Sequence, residues 1–128
     1  MGYDLRITRA QEFYSTTPQH EIPEAEWLAV VDADPELSVA TLSDPYYFPG
    51  MVLWVTRHSD RYGVPWFAWV AGCIYSKNPN GPIIEKMIDL AERLGARVLG
   101  EAGEQYLSDG RVLGWERTPF EKADWRTR

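Results

Sequence analysis

Few residues in this chain have the types and spacing that catalysis needs. Asp32-Ala-Asp34 follows a short apolar run, Leu28-Ala29-Val30-Val31, as the first carboxylates of several metal-dependent transferases do. Such a pair would hold Mg²⁺ against a phosphate only from the end of a buried strand. Here Trp27 and Leu28 extend the run at helical spacing. A calcium loop starting at Asp32 would need Gly at 37 and Glu at 43, where the chain has Leu37 and Ser43. No metal site and no cofactor are expected.

His20 and His58 are the only histidines. His58, Ser59 and Asp60 are adjacent in one loop, whereas catalytic sets are assembled from distant segments. Cys73 alternates within a strand pattern and reads as a small buried hydrophobe. The chain has no glycine-rich phosphate loop, no HExxH and no GxSxG. No catalytic residue is assigned, and the expectation is a protein that is not an enzyme.

The elements that position these residues follow from periodicity. Tyr3, Leu5 and Ile7 share one face of a first strand. Pro23 opens a helix over 23–34 that Asp34-Pro35 stops, with Glu24 and Glu26 in its first turn. The wheel predicts that Trp27, Leu28 and Val31 are buried, with Glu26 and Asp32 turned outward. Short strands are read at 37–42, 51–57, 66–70 and 73–77, and Ala71-Gly72 makes a two-residue hairpin turn. Pro82 starts the clearest helix, 82–94, with Ile84, Met87, Ile88, Ala91 and Leu94 at three-four spacing and Gly95 at its C-cap. Three further strands start near Arg97, Glu104 and Arg111.

This order predicts an α+β fold, a mostly antiparallel sheet with two main helices packed on one face. Residues 1–115 form one domain and 116–128 a C-terminal tail. Phe120 and Trp125 either tack that tail to the body or leave it free.

The chain has 128 residues, six Trp, seven Tyr, one Cys and a net charge of −6. One Cys permits no intrachain disulfide, and no apolar signal core or spanning segment is read. A cytoplasmic location without membrane association is expected. The charge is concentrated. From Ala10 through Thr56 there are eight acids and no Lys or Arg, whereas the remainder carries 13 bases against 11 acids. Phosphate backbones are repelled by such a segment, which argues against nucleic acid, while a basic protein is attracted. The residues proposed to meet such a partner are Glu24, Glu26, Asp32, Asp34 and Glu36, with Tyr46, Tyr47 and Trp69 as aromatic anchors. Both faces of the 66–77 hairpin carry large aromatics. Either one face is exposed for binding, or a loop, the tail or a second copy of the chain covers it, so a homodimer is also considered.

The stretches GYDLRITRA, EAEWLAVVDADPEL, WFAWVAGCIYSKNP and IIEKMIDLAERLGARVLGEAGEQY together resemble a group of small, mostly uncharacterised bacterial proteins, several of which look like immunity proteins of polymorphic toxin systems. In relatives of this kind a polar or charged residue often precedes the hairpin glycine, where this chain has Ala71. The resemblance implies a cytoplasmic antitoxin that binds one cognate toxin and occludes its active site. It identifies neither the toxin nor the interface. The alternative is a small enzyme or small-molecule-binding domain with a pocket between the sheet and helix 82–94.

Overall fold

The computed structural model describes residues 3–14, 17–55, 64–114, 116 and 119–127, with 119–123 as backbone only. The loop holding His58, Ser59 and Asp60 lies outside these residues. The elements are β1 (Asp4–Thr8), α1 (Glu24–Ala33), β2 (Leu37–Val39), β3 (Met51–Trp54), β4 (Trp66–Val70), β5 (Cys73–Lys77), α2 (Gly81–Arg93), β6 (Arg97–Gly100), β7 (Gln105–Tyr106), β8 (Arg111–Leu113) and β9 (Pro119–Asp124). The strands form one nine-stranded sheet in the order β2-β3-β4-β5-β1-β6-β7-β8-β9, and every pairing is antiparallel. This is the expected α+β class. No helix among the described residues is long and apolar enough to cross a membrane.

Strand β1 lies near the middle, between β5 and β6. Its register sets Ile7 opposite both Ile74 and Val98, so these three side chains share a face. Both helices pack there. Trp27 and Val31 of α1 join Ile84, Met87, Ile88 and Ala91 of α2 in one core with Leu5, Val52 and Phe67. Burying side chains of this size contributes roughly 1.5–3 kcal/mol each.

The helix ends follow their sequence signals. Asn80 caps α2, its side chain accepting from Ile83 N–H at 3.2 Å. Gly95 ends it at φ 62°, and Ala96 N–H reaches back to Ala91 carbonyl at 2.8 Å. Helix α1 runs from Pro23 as N-cap to Asp34 as C-cap. One expectation about it fails. Leu28 is 44 % exposed, because the buried side of α1 is centred on Trp27 and Val31 and Leu28 lies around the edge from both.

The β4–β5 turn places Ala71 at φ 49° and Gly72 at φ 87°, as a two-residue hairpin requires. Gly72 is also pressed against Glu21: a Cβ there would lie 2.6 Å from the Glu21 Cβ and 2.9 Å from its Cα. Gly72→Ala is therefore expected to lower stability by about 1–3 kcal/mol, read as a lower urea midpoint at unchanged slope.

The segment beyond 115 continues the sheet. β9 pairs with β8, and Trp125 is buried, its indole N–H donating to Leu107 carbonyl. Of the two readings left open for Trp125, it tacks the tail to the body.

Candidate functional site

The acidic segment divides into inward and outward carboxylates. Asp34 lies seven residues after Trp27, two helical turns on and on the same buried side, and it is only 4 % exposed. One oxygen accepts Lys86 Nζ at 2.8 Å and Arg93 Nη1 at 3.1 Å. The other accepts Glu36 N–H at 2.9 Å. Lys86 also donates to Glu36 at 2.6 Å, and Arg93 to Asp89 at 2.8 Å. Burial alone would raise the Asp34 carboxyl. The Lys86 and Glu36 hydrogen bonds and the Lys86 and Arg93 charges outweigh it, and the carboxyl is held below its ordinary value. Burial likewise opposes the Lys86 charge, but its bonds to Asp34 and Glu36 hold the amine above its ordinary value.

Asp32 points to solvent while Asp34 points inward, so the two carboxylates do not converge. Among the described residues no group of three or more His, Cys, Asp or Glu side chains is placed to hold a metal ion. Glu26 pairs with Arg9, which also donates to Leu94 carbonyl at the end of α2. Three acids of the segment, Glu26, Asp34 and Glu36, are thus answered by bases from outside it.

Of the other five acids, Glu12, Glu21 and Asp44 lie outside α1, and Glu24 and Asp32 lie on it. Glu24, Leu28 and Asp32 follow one another at four-residue spacing along the outer side of α1. All three are exposed, as are Ala25 and Ala29 beside them. Among the described residues neither Glu24 nor Asp32 makes an ion pair. This helix therefore has apolar side chains on both its buried and its solvent sides, and the solvent side carries only negative charge.

The aromatic candidates separate too. Tyr46 is 91 % exposed on the β2–β3 connection, which also exposes Leu42 at 86 %. Tyr47 is half-buried. Trp69 packs against the core and donates its indole N–H to Ile22 carbonyl at 2.8 Å, so it ties the 21–22 segment to the sheet and is no free anchor. Cys73 is buried, and His20 is at the surface, hydrogen-bonded to Thr17.

Sequence reasoning passed over Glu104. It is buried and accepts from the Tyr3 and Tyr106 hydroxyls and from Ala102 N–H. Gly100 leaves the room it needs, since a Cβ there would overlap the Glu104 carboxylate. These contacts bind β1, β6 and β7 together. Glu104 lies two residues before Tyr106, so strand alternation sets both on the inward face, and the signal for its burial was this spacing.

Two grooves flank α2 at the place of the pocket reading, one of about 330 Å³ against β6 and β7 and one of about 440 Å³ against Trp54, and neither is lined by Asp32 or Asp34; the first holds two arginines. Those arginines are engaged, Arg97 by Gln11 and Arg111 by Asp109. No protein-family model, no curated protein and no solved structure matches the chain.

Proposed function

We propose that this chain is an immunity-type binding protein that neutralises a cognate bacterial toxin by covering a basic active site, in the cytoplasm and without chemistry of its own. One observation carries the reading. The outer side of α1 exposes Leu28 between Glu24 and Asp32, and no base among the described residues answers them. A solvated helix normally turns its apolar residues inward. An exposed leucine between two carboxylates suits a partner of the opposite sign, with the leucine as anchor and the carboxylates steering approach.

A ten-residue helix is about 15 Å long, less than an interface of standard size spans. The exposed Leu42 and Tyr46 are assigned to the same contact. Asp34, Glu36, Glu26 and Trp69 support it from behind: the first two fix the end of α1 to α2, Glu26 fixes its flank through Arg9, and Trp69 fixes its approach.

The test is co-expression with the toxins encoded beside the gene. Restored growth and a co-purifying complex are expected with one of them. Neither protection nor a complex with any of them would refute the proposal.

A further inference from the structure

The helix-free face of the sheet carries a second feature, independent of the toxin reading. β1, β5 and β4 are neighbours, and their register sets Asp4 opposite Lys77, and Tyr75 opposite both Arg6 and Ala68. Continued by two residues, it places Trp66 opposite Lys77. Asp4, Lys77 and Trp66 therefore form one row across the three strands, and Arg6, Tyr75 and Ala68 the next. Phe48, from the β2–β3 connection, meets Trp66 edge to face at 5.0 Å, and Trp66 meets Tyr75 at 5.6 Å. Together these side chains line a cleft of about 430 Å³, within the range of small-molecule sites.

The polar groups in this cleft are not matched to one another. Asp4 forms no ion pair with the Lys77 it faces, and its Oδ1 is buried without a hydrogen-bond partner among the described residues. A buried carboxylate oxygen of that kind calls for an N–H donor, and none of the described residues supplies one. Arg6 is held in place by Phe13, whose ring lies 4.4 Å beneath the guanidinium and whose carbonyl accepts from Nη1. Asp4 and Arg6 are two residues apart on one strand, about 7 Å along the same face. That spacing brackets a group carrying both signs of charge on one carbon.

We infer that the cleft binds a zwitterionic α-amino acid with an aromatic side chain, its ammonium on Asp4, its carboxylate toward Arg6 and Lys77, and its ring against Trp66 and Tyr75.

The experiment is a titration of the full chain, followed by amide and indole NMR shifts. The probes are phenylalanine, phenethylamine, which lacks the carboxylate, and 3-phenylpropionate, which lacks the ammonium. Phenylalanine is expected to shift resonances of β1, β4 and β5, with each half-analogue at least about tenfold weaker. Asp4→Asn, nearly isosteric on its strand, is expected to weaken phenylalanine at least about tenfold and leave 3-phenylpropionate unchanged. Lys77→Gln, at an exposed position, is expected to weaken 3-phenylpropionate. No shift with phenylalanine at about 10 mM, a millimolar site being already weak, would overturn the assignment. So would shifts confined to other strands, equal binding of all three probes, or an unchanged affinity in Asp4→Asn.

Discussion

Replacing Asp34 by Asn is expected to destabilise the fold by about 3 kcal/mol, as removal of one partner from a buried charged network does. The substitution keeps the shape and the contact with Glu36 N–H. It removes one of the two carboxylates that compensate Lys86, which is 7 % exposed. Glu36 still bonds Lys86, which sets the loss at the lower end of the range. Adding Lys86→Met to the Asp34→Asn variant is expected to recover part of it, since an apolar side chain of similar length fits a site already walled by Trp54. Urea unfolding of the two single variants and the double variant measures this coupling.

The same network sets a pH dependence. The Asp34 carboxyl lies below its ordinary 3.8 in the folded chain, so its stabilisation is complete above that pH and is lost as pH falls through the folded value. The Lys86 amine lies above its ordinary 10.5, so its stabilisation is complete below that pH and is lost as pH rises beyond it. The stability gap between the native chain and Asp34→Asn is expected to be flat between these limits and to narrow below pH 3.8.

How much of this was readable in the sequence differs from element to element. α2 announced itself, because Asn80, Pro82, Gly95 and the apolar spacing act within one segment. The central place of β1 was hidden: its partners β5 and β6 lie some seventy and ninety residues on, and pairing at that range leaves no local trace. β9 was passed over because a charged edge strand lacks the alternation of a half-buried one, although such charges are what edges use to resist further pairing. Asp34 was misplaced at the surface for a similar reason. Its seven-residue spacing from Trp27 pointed inward, but Lys86 and Arg93 are 52 and 59 residues away in sequence. The absence of bases between Ala10 and Thr56 described a stretch of sequence, and folding filled part of that deficit from α2 and β1's flank. Of the five acids of that stretch left without an ion pair among the described residues, Glu24 and Asp32 are the two that lie on α1. The cleft beneath Phe48 was invisible in the same way, since its charged row is built from strands that are not consecutive in the chain.

The second large effect concerns the outer side of α1. If the proposed function holds, Glu24→Lys combined with Asp32→Lys weakens binding of the toxin about a hundredfold or more, because like charges brought together at an interface cost several kcal/mol. Both side chains are exposed and make no ion pair among the described residues, and the helix-dipole loss at position 24 in the first turn of α1 is offset by the gain at position 32 in its last, so the melting temperature should move little. Leu28→Asp should weaken binding through loss of the anchor while leaving the fold intact, whereas Asp34→Asn acts on both. Comparing the three separates a contact from a support.

The most direct measurement is calorimetric titration of the co-purified toxin with the native chain and with the Glu24→Lys, Asp32→Lys variant, each at low and high salt. Tight native binding that weakens with salt, and a variant of unchanged stability that binds far more weakly, is the predicted result. Equal affinity of the two proteins, or native binding indifferent to salt, would contradict the assignment of this face to a basic partner.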